Sequence, residues 1–162
     1  MIPTAQQIIK FFGMKPLTDE GGFYPETYRC AEKIRCKNLG LRNISTAILY
    51  LLTPETCSKL HRVKSDEIFH FYLGDPVTML QLYPDGKSKI ITLGSDILKG
   101  QFVQALVPRN TWQGCLLKRS GKFALLGTTV APSFDFADFE LADRKNLLKK
   151  YPAQSDLIIK LS

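Results

Sequence analysis

The stretch His61-Arg62-Val63-Lys64-Ser65-Asp66-Glu67-Ile68-Phe69-His70-Phe71-Tyr72-Leu73-Gly74 holds both histidines of the chain beside a run of aromatic and branched residues. Ile68 to Leu73 reads as a strand. Titratable groups next to so apolar a strand are costly to bury unless paired, so the cluster is the first place to look for chemistry. Alternation puts Glu67, Phe69 and Phe71 on one face, and Ile68, His70 and Tyr72 on the other. A bulge would exchange the faces beyond it. The sequence leaves open which face lies inward.

The pattern continues outward on both sides. Upstream, Phe23 to Arg29 and Thr46 to Thr53 (TAILYLLT) read as strands, the second buried on both faces. Downstream come Val77 to Tyr83, the turn Pro84-Asp85-Gly86, and Lys89 to Leu93 as its hairpin partner. Phe102 to Val107, Trp112 to Lys118 and Phe123 to Val130 follow. Short strands separated by Gly, Pro and Asp predict an all-β antiparallel sandwich or barrel. A short helix is expected at the start, where Thr4 and Gln7 make a capping box and Gly13 a stop. Helical cover is expected at the end, over Phe139 to Lys150, with Asp156 to Lys160 a second helix or a last strand. No repeat or linker interrupts the text, so one domain over residues 1–162 is expected.

Composition sets the bounds. The chain has 162 residues, 44% apolar and 23% charged, which excludes a disordered polymer. No apolar run reaches the about 20 residues that cross a bilayer, and Met1 to Lys10 lacks the pattern of a secretory signal. The formal charge is +7, but the basic residues are scattered, so neither a nucleic-acid nor a membrane partner is expected. Cys30, Cys36, Cys57 and Cys115 have no zinc-ribbon or thioredoxin spacing, and reduced thiols in a cytoplasmic protein are the expectation. Phosphate-loop and serine-hydrolase motifs are missing.

Two spacings carry a resemblance. His61, five residues, Glu67, six residues, Gly74 follows the first motif of the cupin superfamily. Pro108-Arg109-Asn110-Thr111-Trp112-Gln113 follows the second, with Gln113 at the histidine position. Longer stretches extend the likeness: Gly21-Gly22-Phe23-Tyr24-Pro25-Glu26-Thr27-Tyr28, Ser65 to Pro76, and Phe134-Asp135-Phe136-Ala137-Asp138-Phe139-Glu140-Leu141. Over about residues 20–152 the chain resembles a small one-domain cupin branch catalogued as a domain of unknown function. The resemblance implies a double-stranded β-helix, or jelly-roll barrel, with its core at about residues 20–132. It also implies a homodimer and a ligand pocket at one mouth. Cupins include metal dioxygenases, sugar isomerases and epimerases, and non-catalytic binders, so the fold does not decide the activity.

The departures from the family pattern shape the functional expectation. Metal cupins use three histidines and a glutamate; here Val63 and Gln113 stand at two of the histidine positions. Any divalent metal would fall to His61, Glu67 and Gln113, a weak set for iron, nickel or zinc, and a dioxygenase is the weakest reading. Without a metal, the likeness is to cupin epimerases. His61 would be the base, Glu67 or Asp66 would orient it, and Tyr28 or Tyr72 would return a proton. His70 is a further candidate catalytic group. Arg62, Arg29 or Lys59 would hold an anionic group. Gln113, Ser65 and Trp112 would shape the pocket, the indole as a stacking surface. Phe134, Phe136 and Phe139 read as packing residues, and Asp135, Asp138 and Glu140 as capping or solvent-facing groups. The expected ligand is a small carbohydrate-like molecule, isomerised or epimerised on the first reading and only bound on the second.

Overall fold

The computed structural model describes residues 2–162. Helix α1 (Ala5–Phe12) opens with the expected capping box: Gln7 N donates to Thr4 Oγ1, and Thr4 N to Gln7 Oε1. Gly13 closes it in the left-handed region. Fourteen strands follow: β1 (Lys15–Pro16), β2 (Phe23–Tyr24), β3 (Glu26–Arg29), β4 (Lys33–Cys36), β5 (Gly40–Asn43), β6 (Thr46–Leu52), β7 (Cys57–Arg62), β8 (Asp66–Gly74), β9 (Val77–Leu82), β10 (Ser88–Leu93), β11 (Gln104–Val107), β12 (Trp112–Leu117), β13 (Ala124–Ala131) and β14 (Glu140–Leu141). Two helices, α2 (Arg144–Lys150) and α3 (Ser155–Lys160), complete the chain.

The pairings between these strands are antiparallel. One sheet runs β1-β2-β6-β13-β8-β11, with β3 also on β6; the other runs β10-β9-β12-β7-β14. Their facing sides share a core that includes Tyr50 and Phe69 from the first sheet, and Met79 and Cys115 from the second. Each outer face has its own cover. Ile8 and Met14 at the start of the chain pack on Leu51 and Leu125. Leu147, Tyr151, Ile158 and Leu161 at its end pack on Leu60, Leu80 and Leu82. Burying each such side chain contributes roughly 1.5–3 kcal/mol, so both layers matter to stability.

The expected strands form, with shifted ends. The expected strand from Phe23 to Arg29 is split at Pro25 into β2 and β3, since proline cannot donate to the ladder. The helix expected from Phe139 starts later, at Arg144, where Asp143 caps it by accepting from Asn146 N. Glu140 and Leu141 instead pair with Arg62 and His61 of β7. Strand β7 and the β4–β5 hairpin have no counterpart in the sequence reading. Cys57-Ser58-Lys59-Leu60-His61-Arg62 lacks clean alternation, and the structure gives the reason. The register with β12 shifts between Gln113↔His61 and Cys115↔Ser58, so β7 carries one extra residue. This bulge turns both Ser58 and His61 to the interior, three positions apart. Gly114 lies against it, where a Cβ would stand 2.8 Å from the Ser58 carbonyl oxygen.

Candidate functional site

The bulge builds the site. Lys59 N, released from regular pairing, donates to the Glu20 carbonyl at 2.9 Å. That bond fastens the loop between β1 and β2 onto β7. The following Gly21 has φ +108°, and a Cβ there would lie 2.2 Å from the Cys57 carbonyl oxygen, so only glycine lets the loop approach this closely. Tyr50 Oη donates to the Gly21 carbonyl at 2.9 Å. Glu20 is thereby held over His61: one carboxylate oxygen accepts from Ser58 Oγ at 2.6 Å, and the other lies 3.7 Å from His61 Nε2.

His61 is almost wholly buried and has a defined tautomer. Its Nδ1 sits 2.7 Å from the Lys59 carbonyl, which can only accept, so Nδ1 carries the proton. In the neutral ring the lone pair is therefore on Nε2. Gln113 Nε2 donates to that lone pair at 2.6 Å and to Glu67 Oε2 at 3.1 Å, joining β7, β12 and β8 through one amide. Gln113 Oε1 is buried without a partner. The Phe139 ring stacks on the imidazole, with centroids 5.0 Å apart. Burial pushes the Glu67 carboxyl up to about 7, with the Glu20 charge adding to the rise and His61 opposing it.

His61 and Glu67 open onto a cavity of about 340 Å³ between the sheets. Tyr24, Val63 and Thr128 contribute to its wall. Phe134, Phe136 and Phe139 form an aromatic side, with Phe134 in edge contact with both others. That segment is anchored by Asp138, whose carboxylate accepts from Arg42 and Lys64 at 3.1–3.3 Å.

The structure brings His61, Glu67 and Gln113 together and places Arg29 in the wall of the same cavity, paired with Glu26; it separates the other expected site residues from them. The extra residue of β8 is Tyr72, since the register with β13 passes from Leu73 to Phe71 there. It lies beyond His70, so Glu67 and His70 stay on opposite faces. His70 is on the outer face, bonded to Thr129 Oγ1 and Gln104 Nε2, with Tyr72 half-exposed beside it. Tyr28 is exposed on the edge strand β3 and does not line the cavity. Trp112 packs outward against the C-terminal layer. The Arg62 guanidinium lies 4.4 Å from the Trp112 ring and pairs with Glu140 at 2.7 Å, also outside the cavity. Asp66 accepts from Arg109 N and ties down a loop. The Ser65 hydroxyl is buried without a partner and away from the cavity. Glu20 and Tyr24 were not among the expected residues. Glu20 reaches the site through a backbone contact that no local spacing reveals; Tyr24 was visible only as the tyrosine of Gly22-Phe23-Tyr24.

This donor set does not suit a resident metal. Gln113 turns its amide nitrogen, which has no lone pair to give, into the space between His61 and Glu67. Val63 contributes only hydrocarbon. Among the described residues no group of three or more His, Cys, Asp or Glu is placed to hold a metal ion.

Two facing antiparallel sheets, with an imidazole from one and a carboxylate from the other in the cavity between them, define a cupin-type fold. The chain belongs to the family described as Cupin superfamily (DUF985), which it matches over residues 6–142. It is 33% identical to a protein of Shewanella oneidensis, over 99% of this chain and 98% of that one, with a TM-score of 0.88. A hypothetical protein from Leishmania major is 28% identical over 99% of both chains, with a TM-score of 0.92. An uncharacterized protein of Saccharomyces cerevisiae is 29% identical over 80% of this chain and 71% of its own length. At 13% identity the fold alone is shared with a dTDP sugar isomerase from Desulfovibrio desulfuricans G20, with a TM-score of 0.53, over 74% of this chain and 83% of that one. Among the described residues no helix is long and apolar enough to cross a membrane.

Proposed function

We propose that this cupin binds a small carbohydrate-like molecule in the 340 Å³ cavity and isomerises or epimerises it, with His61 as the base. The observation that carries the reading is the tautomer. The Lys59 carbonyl holds the proton on Nδ1, which leaves Nε2 as the basic atom, and the Glu20 carboxylate stands 3.7 Å away to stabilise the charge that a captured proton creates. In the proposed step, Nε2 takes the proton from a carbon beside a carbonyl. The electron pair of that C–H bond forms an enolate, and a proton returned to carbon completes the isomer. Glu67, whose carboxyl burial raises to about 7, and the Tyr24 hydroxyl are the proton donors lining the same cavity. Gln113 is a positioning residue: its amide occupies Nε2 before substrate arrives and holds Glu67 in register. The solved dTDP sugar isomerase of the same fold lends the reaction class by analogy.

A second reading, binding without turnover, is favoured by one observation: the Gln113 amide already satisfies the Nε2 lone pair at 2.6 Å. Solvent deuterium exchange into a panel of aldoses, ketoses and amino sugars separates the two. The first reading expects label at the carbon beside the carbonyl, lost in His61→Gln. Ligand binding with no exchange would establish the second, and exchange that persists in His61→Gln would remove His61 from the role of base.

A further inference from the structure

The charge inside the cavity has the opposite sign to the charge of the chain. The protein carries a formal +7, yet five carboxylates line the cavity: Asp19, Glu20, Glu26, Glu67 and Asp135. Among the described residues one guanidinium joins them, that of Arg29, and its pairing with Glu26 cancels one of the five charges and leaves four. Arg29 Nε and Nη2 clamp the two oxygens of Glu26 at 2.9 and 2.7 Å. The other cations from which an anion site was expected point elsewhere. Arg62 serves Glu140 and Trp112 outside, and Lys59 is exposed beside the Asp19 carbonyl at 3.4 Å. Lys64 is held by Asp138.

A phosphorylated or nucleotide-linked sugar would therefore bring its charge among carboxylates, with no free cation to receive it. The aromatic side adds a second, independent preference. Phe134, Phe136 and Phe139 line the cavity, one face of Phe139 being taken by His61, and a cation over an open ring face is attracted where an anion is repelled. Glu67 is 7% exposed, and that remnant faces the cavity. Burial pushes its carboxyl up to about 7, so an ammonium ion seated beside it would draw it to the charged form, with little screening water between them.

We infer that the ligand is a small hydroxylated ammonium ion, an amino sugar in class, its nitrogen seated between the carboxylates and the phenylalanine rings. This rests on the proposed role of the cavity as a small-molecule site, and it replaces the anionic group that the basic residues of the sequence suggested. The carboxylates and Tyr24 also accept hydrogen bonds from ligand hydroxyls, so a neutral sugar fits less well rather than not at all.

Isothermal titration of the full chain at low salt tests the inference, using glucosamine, glucose, glucose-6-phosphate and tetramethylammonium. Glucosamine is expected to bind about tenfold tighter than glucose, and glucose-6-phosphate weakest. Asp135→Asn keeps the acceptor that caps Ala137 N while removing the charge. It should erase several-fold of the glucosamine advantage and leave the affinity for glucose in place. Glucose or glucose-6-phosphate binding as tightly as glucosamine overturns the charge inference and leaves the carbohydrate site standing. Tetramethylammonium binding with no sugar bound keeps the charge inference and sinks the carbohydrate reading. No binding by any of the four sinks both.

Discussion

Glu20 Oε2 lies 3.7 Å from His61 Nε2 although the two residues belong to different segments, and the contact exists because Lys59 N donates to the Glu20 carbonyl. A backbone bond at a bulge thus sets the electrostatics of the buried cluster. The Glu20 charge bears on Glu67 as well, where it adds to the rise caused by burial.

The Glu67 carboxyl makes stability depend on pH. Its value is about 7 when folded, against an ordinary 4.5. Below 4.5 both states hold the proton. Between 4.5 and 7 the unfolded chain releases it first, so stability falls as pH rises through this window and levels off above it. The loss has an upper limit of about 3 kcal/mol. Urea unfolding of the wild type across this window should show the decline. Glu67→Gln should flatten it, and Glu20→Gln should move its upper end to lower pH. Burial lowers the His70 pKa, and that group's own contribution rises with pH below 6.5, so the comparison with Glu67→Gln is decisive: a wild-type curve that falls no more than that variant's would refute the assignment.

Gly114 sets the tolerance of the bulge. Alanine there would place a Cβ 2.8 Å from the Ser58 carbonyl and 3.2 Å from Leu60 N, both backbone atoms that cannot swing aside. Gly114→Ala should destabilise by about 1–3 kcal/mol and displace His61, so denaturation midpoint and ligand affinity should fall together. A variant as stable as wild type would show that β7 can shift at no cost.

His70 and Tyr72 provide the control for the cavity. Both stand on the outer face of β8, stacked with ring centroids 6.2 Å apart. His70→Ala should leave the affinity of whichever titrated ligand binds, and any deuterium exchange, within about twofold of wild type. The same assays should respond to His61→Gln. A tenfold loss in His70→Ala would relocate the site to that face.

What the sequence disclosed and what it hid follow from range. Strand pattern, turn residues and the spacing of His61, Glu67 and Gln113 are local signals, and those three residues meet. The face of β8 was undecidable, because Phe69 and Phe71 on one side and Ile68 and Tyr72 on the other are both apolar. Trp112 and Arg62 are conspicuous by composition, yet Leu60 and Leu82 draw the indole outward beneath the C-terminal helices. Glu20 gave no signal, because it arrives through a backbone pairing across the fold. Strand β7 escaped notice because its bulge interrupts the alternation by which strands are read.

Asp138 has a consequence for kinetics. By accepting from Arg42 and Lys64 it fixes the phenylalanine segment before any guest arrives. The conformational entropy of that wall is surrendered during folding, so on the proposed function a guest would meet a wall already ordered. Differences between compounds would then be expected in how long each resides rather than in how fast it arrives.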